Sequence, residues 1–152
     1  MADEHPLAMF AGTWRGRGDG FYPTIADFPY EEELVITPAP GKPRAAWRTA
    51  TRNAVTGEGL HAEAGFLRAA PDGLELVVAH GSGVVEIATG TFTNGTLELS
   101  SVAMHRAPSA KQVDQITRHY VFDGDVVTYT LDMAAVGVPL TGHLRGELRR
   151  EI

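Results

Sequence analysis

Short alternations of apolar and polar residues, broken by tight turns, run through this chain and constrain its fold more than any other feature. They are clearest in Gly83-Val84-Val85-Glu86-Ile87-Ala88, Thr96-Leu97-Glu98-Leu99-Ser100 and Val127-Thr128-Tyr129-Thr130-Leu131-Asp132-Met133, the period-two pattern of half-buried strands. Between such segments lie Pro71-Asp72-Gly73, Asn94-Gly95 and Asp123-Gly124-Asp125, combinations that tolerate positive φ or preset a hairpin. Neighbouring strands are therefore expected to run antiparallel. Segments near 10–18, 28–37, 44–53, 59–69, 73–80, 83–90, 91–94, 96–103, 116–122, 125–133 and 142–150 predict about ten strands. No long amphipathic helix competes. One short helical turn is predicted within 104–115, where Ser109-Ala110-Lys111-Gln112 has the spacing of a capping box. About ten antiparallel strands can build a sandwich or a barrel, and an up-and-down barrel both removes exposed edges and encloses room for a small ligand. The expected fold is an all-β, closed antiparallel barrel.

Composition narrows the class. With 152 residues, 43% hydrophobic and 21% charged, the chain suits a single domain over 1–152, its ordered core at about 8–151. Its 17 glycines and 9 prolines are scattered between apolar stretches, as short strands and turns require. A formal net charge of -6, with no dense block of Lys or Arg, argues against nucleic acid and anionic lipid as partners. The start Met1-Ala2-Asp3-Glu4-His5 carries acids where a secretory signal is basic. No run reaches the roughly 18 apolar residues of a membrane span, so a cytoplasmic location is expected. The absence of cysteine removes disulfides, thiolate metal sites, a thiol nucleophile and covalent haem attachment.

Several enzyme signatures fail on inspection. His61-Ala62-Glu63 has the H-x-E form of a zinc deaminase without the cysteines that site needs. Gly81-Ser82-Gly83 lacks the outer glycines of a nucleophile elbow. Gly16-Arg17-Gly18-Asp19-Gly20 has neither the lysine nor the following helix of a phosphate loop. The histidines at 5, 61, 80, 105, 119 and 143 show no H-x-x-x-H or H-E-x-x-H spacing, and most histidines are surface or structural groups. No side chain stands out as a catalytic nucleophile.

Gly12-Thr13-Trp14-Arg15-Gly16-Arg17-Gly18 resembles the G-x-W-x-G-x-G signature of nitrobindins, and Tyr22-Pro23-Thr24-Ile25 follows it at once. The similarity continues through Phe28-Pro29-Tyr30-Glu31-Glu32, His61-Ala62-Glu63-Ala64-Gly65-Phe66 and Ala79-His80-Gly81-Ser82-Gly83-Val84-Val85-Glu86 to Met133 and Pro139-Leu140-Thr141-Gly142-His143-Leu144. This resemblance implies a barrel of about ten strands, shaped like fatty-acid-binding proteins, that holds a non-covalent ferric haem b near one open end. It further implies isomerisation of peroxynitrite to nitrate at the iron and binding of nitric oxide to the ferrous form, and it admits a homodimer.

Carried over by position, the resemblance makes His143 the axial haem ligand, a neutral nitrogen donor that leaves the opposite iron face open. Thr24 falls at a haem-contacting position and Lys111 in an A-K-x-V segment, where a hydroxyl and an ammonium can meet propionates. His61, His80 and Met133 match the distal wall of the pocket. Trp14 reads as a barrel plug, and Gly12, Gly16 and Gly18 as sites of close backbone approach or bulges. Alternation, however, groups His143 with Arg145 and Glu147 on the polar side, so strict parity points it outward. Either a bulge at the strand start or a partly polar cavity face would resolve the conflict. Two other functions fit such a barrel: carriage of a fatty acid or another hydrophobic ligand, and sensing of haem or nitric oxide without turnover.

Overall fold

The computed structural model describes residues 4–152, so the first three residues of the acidic N-terminus lie outside it. A single 3-10 turn, Ala8–Phe10, precedes ten strands. They are β1 (Gly12–Tyr22), β2 (Ile25–Pro38), β3 (Arg44–Asn53), β4 (Gly59–Ala70), β5 (Gly73–His80), β6 (Val84–Thr93), β7 (Thr96–Arg106), β8 (Val113–Asp123), β9 (Val126–Ala135) and β10 (Val138–Arg150). Each strand pairs antiparallel with its sequence neighbour, and β1 pairs with β10, from Trp14 opposite Arg150 to Gly20 opposite Leu144. That last pairing closes the barrel as expected. Among the described residues no helix is long and apolar enough to cross a membrane.

One end of the barrel is plugged. Leu7, Phe10 and Trp14 are essentially inaccessible to solvent. Phe10 meets Phe92 and Phe122 edge to face at 4.9 and 5.0 Å, a geometry that aligns ring edges with ring faces. Trp14 donates its indole N–H to the Phe10 carbonyl at 3.0 Å, and the Arg150 guanidinium lies 4.4 Å from the indole centroid. The turn between β6 and β7 lies at this end, with Asn94 and Gly95 both at positive φ, as a two-residue hairpin requires. On β1, a Cβ at Gly16 would collide with the Glu147 backbone and one at Gly18 with the Tyr30 ring. Absence of a side chain lets the closing seam form there.

Three local expectations are corrected. The capping-box segment forms no helix: β7 runs to Arg106 and the loop before β8 carries Ser109 to Gln112. Its residues lack an apolar helical face, so the local box has nothing to pack against the barrel. Segments 83–90 and 91–94 are one strand, β6, because Gly90 is a mid-strand residue pressed against the Glu98 carbonyl rather than a break. The connection between the segments expected at 125–133 and 142–150 is a two-residue turn between Ala135 and Val138, because Val136 adopts φ 47° beside Gly137 at φ 83°. A β-branched residue rarely occupies that region, so composition carries no signal for it.

Candidate functional site: a histidine-lined cavity

The open end leads into a cavity of about 740 Å³ that brings together Thr24, His61, His80, Lys111, Met133 and His143. Its size falls within the roughly 300–1,000 Å³ of cofactor and small-ligand pockets. Apolar side chains from several strands, among them Val84, Ile116, Leu131 and Leu144, form much of the wall. Ile25, Leu60 and Val136 also line it and remain substantially exposed.

His143 enters this cavity through a bulge. In the β10–β9 ladder Gly142 opposes Asp132 and Leu144 opposes Leu131, so His143 is the extra residue. A bulge re-aims a side chain that strict alternation would send outward, which removes the parity conflict. Its Nδ1–H donates to the Phe21 carbonyl at 2.9 Å; a carbonyl only accepts, so the proton is on Nδ1 and Nε2 keeps its lone pair. The Tyr22 ring stands edge to face against the imidazole at 5.3 Å. Tyr22 is itself pinned, its hydroxyl donating to the Met133 carbonyl and accepting from the Ala135 N–H, each at 3.0 Å. Burial lowers the His143 pKa below the ordinary imidazole value, against the opposing effect of the Phe21 hydrogen bond. The ring is therefore neutral at pH 7, the state that ligates a metal.

The wall facing His143 is polar. In the strand circuit β5 is diametrically opposite β10, with β4 beside it, so His80 and His61 lie across the cavity from His143. His80 Nε2 donates to Glu86 Oε1 at 2.8 Å, and its Nδ1 lies 3.0 Å from His61 Nε2. Beneath them Arg118 contacts Glu63 through Nη1 and Nη2 at 2.8 and 3.0 Å and Glu86 through Nη2 at 2.6 Å. All three charged side chains are almost fully buried. Burial alone would raise both carboxyls, but the Arg118 guanidinium outweighs it and holds Glu63 well below, and Glu86 below, the ordinary carboxylate value. Further round, the Tyr129 hydroxyl donates to Glu32 and shares a hydrogen bond with Tyr30. Burial pushes the Glu32 carboxyl up to about 7, against the lowering effect of the Tyr129 bond.

At the mouth, Thr24 sits in the β1–β2 turn and Lys111 in the β7–β8 loop, both exposed. Lys111 has no ion-pair partner among the described residues. Gly12, Gly16 and Gly18 belong to the β1 seam, and Trp14 to the plugged end. The sequence reading missed Glu32, Glu63, Glu86, Arg118 and the tyrosines at 30, 120 and 129. A signal existed: Glu86 alternates with buried Val84 and Ala88, and Arg118 with buried Ile116 and Tyr120, charges placed on the inward parity.

The cavity suits a haem on three observations. His143 presents an imidazole nitrogen with no protein partner among the described residues, the walls offer apolar surface to a flat ring, and the mouth carries a hydroxyl and an ammonium for acidic substituents. Fold and site together define a ligand-binding β-barrel with one ligand-ready histidine. Residues 3–150 match the family described as THAP4-like, heme-binding beta-barrel domain. The chain belongs to that family, which bears out the nitrobindin resemblance. It is 49% identical over 146 residues to peroxynitrite isomerase 1 of Rhodococcus jostii, covering 95% of this chain and 82% of that protein. Against peroxynitrite isomerase 2 of Mycobacterium avium it is 44% identical over 158 residues, covering 98% of each. The crystal structure of Rv2717c from M. tuberculosis superposes with a TM-score of 0.90 at 41% identity, over 99% of this chain and 100% of that one.

Proposed function

We propose that this chain binds haem b through His143 and isomerises peroxynitrite to nitrate in the cytoplasm, and that its reduced form binds nitric oxide. The observation that carries the reading is His143: neutral, held through Nδ1 by Phe21, and turned by the bulge so that Nε2 serves the cavity. Relatives named for peroxynitrite isomerisation, matched over nearly the whole chain, support the reaction.

His143 would hold the haem, which would supply a Lewis-acidic ferric iron for the isomerisation of peroxynitrite to nitrate. The protein's own part is to hold and to shield. The Phe21 carbonyl fixes the His143 tautomer and ring plane, and such an outer hydrogen bond also raises ligand basicity. Thr24 and Lys111 at the mouth would offer a hydroxyl donor and an ammonium to the carboxylates of the haem. His61 and His80 line the facing wall while tied into the Glu63, Glu86 and Arg118 network, which limits their freedom to move into the cavity. Met133, on β9 beside β10, fills apolar space on the His143 side of the cavity. No side chain is needed as a nucleophile, which agrees with the failed hydrolase motifs. Arg118 is committed to two carboxylates, so the inner wall offers no free cation for a fatty-acid headgroup.

The test is uptake of hemin by the purified full-length chain. One equivalent should produce a Soret band that shifts when nitric oxide is added after reduction, because a single His leaves the sixth position open. Failure to take up hemin would put the hydrophobic-ligand reading ahead, and a bis-histidine spectrum would reject an open site.

A further inference from the structure

Three donor atoms on the wall opposite His143 form a compact triangle. His61 Nε2 and His80 Nδ1 are 3.0 Å apart, His61 Nε2 and Glu63 Oε2 3.4 Å, and His80 Nδ1 and Glu63 Oε2 3.5 Å. Ligands held at about 2.0–2.2 Å from one zinc ion lie about 3.0–3.5 Å from each other in octahedral or tetrahedral arrangements. The triangle therefore matches one face of a coordination sphere, in a set of two imidazoles and one carboxylate.

The atoms behind the triangle fit the same use. His80 gives its other ring proton to Glu86 at 2.8 Å, the carboxylate support that metal-bound imidazoles commonly have. Glu63 Oε1 receives Trp47 Nε1–H at 3.1 Å and Arg118 Nη1–H at 2.8 Å, which orients the carboxylate and leaves Oε2 toward the histidines. Charge points the same way. Glu63 and Glu86 bring two buried negative charges against the single positive charge of Arg118. His80 Nδ1 and Glu63 Oε2 both act as acceptors, so His61 Nε2 must carry a proton between them when no cation is present. A cation can take that place when the His61 proton moves to Nδ1, and the excess of buried carboxylate over guanidinium attracts it. Arg118 Nη2 also touches Glu63 Oε2 at 3.0 Å, but it keeps Glu86 at 2.6 Å when that contact is given up.

We propose that His61, Glu63 and His80 form a second metal site, which takes a divalent transition ion of the zinc class and turns its remaining coordination positions toward the cavity. The site does not depend on the haem reading, since it shares no ligand with His143.

Cobalt is the probe, because Co²⁺ in a nitrogen and oxygen site of low coordination number gives visible d–d bands. Tag-free, chelator-treated, haem-free protein titrated with Co²⁺ should develop these bands at one ion per chain, and Zn²⁺ should erase them. His61→Ala, a change at a half-exposed residue, should weaken cobalt binding at least about tenfold with far-UV circular dichroism unchanged. Glu86→Gln, which removes the outer carboxylate from His80 and its ion pair with Arg118, should weaken it by about 10- to 100-fold, with far-UV circular dichroism again checking the fold. His143→Ala should bind cobalt as the wild type does. Absence of bands in the wild type, unaltered binding in His61→Ala, or loss of binding in His143→Ala would each overturn the proposal. Hemin uptake by the same preparations reports on the haem site separately.

Discussion

His143→Ala is expected to abolish haem retention while the barrel stays folded. The ligand nitrogen is the sole strong protein bond available to iron in the proposed site, and its removal leaves apolar contacts and pairing at the mouth. The core loses little, because His143 is a bulge residue near the rim and the packed plug of Leu7, Phe10 and Trp14 lies at the other end. Far-UV circular dichroism should match the wild type, whereas the Soret band of a hemin-loaded, gel-filtered sample should disappear. His105→Ala and His119→Ala, at exposed positions, should keep the wild-type spectrum. If His143→Ala retains an unaltered band, another residue holds the iron. Acid should act in the same direction as the substitution: protonation of Nε2 competes with ligation, and the lowered pKa of the buried ring moves that loss to lower pH.

Arg118→Leu should produce the largest loss of stability. The guanidinium is the common partner of Glu63 and Glu86, all buried, and removing one member strands two carboxylates without their cation. Breaking a buried pair in this way costs about 3–5 kcal/mol. Urea unfolding at pH 7 should show that loss, against about 0–1 kcal/mol for Arg68→Ala, whose partner Glu75 forms an ion pair at the surface. The sign of the pH dependence follows from the depressed carboxyls. In the wild type they stabilise the fold above the ordinary carboxylate pKa, and this contribution is lost as pH falls and the unfolded chain takes up protons. In Arg118→Leu the native carboxyls are no longer held down and can take protons themselves. The gap between variant and wild type should therefore narrow toward pH 4. Adding Glu63→Leu and Glu86→Leu should recover much of the loss, since an apolar set of similar volume is often as stable as a buried ion cluster. A gap unchanged across the pH range would show that Arg118 acts through packing alone.

Strand content and antiparallel order were legible because alternation and Gly-containing turns are local signals. Val127, Tyr129 and Leu131 face inward together, as do Leu97 and Leu99. The signal failed where one residue departs from its usual role. Val136 makes a turn that sequence normally assigns to Asn or Gly, and Gly90 sits within a strand that it was read as ending. His143 was legible as a ligand only through its motif; alternation argued against it, and a one-residue bulge reverses alternation without marking the composition. Arg118 and its partners were hidden for a different reason. The pairs span 55 residues to Glu63 and 32 to Glu86, and only closure of the barrel brings these strands around one cavity. A charge within a strand is ordinarily solvated, so nothing local distinguishes the inward ones except their parity with apolar neighbours.

Conversion of peroxynitrite to nitrate by haem held at His143 is measured by rapid-mixing decay of peroxynitrite with nitrate and nitrite quantified in the products. Decay should accelerate in proportion to haem-loaded protein and the nitrate fraction should rise, while the haem-free chain and His143→Ala leave both at the buffer value. A haem-loaded protein that decays peroxynitrite no faster than its haem-free form, or that leaves the nitrate fraction unchanged, would contradict the account.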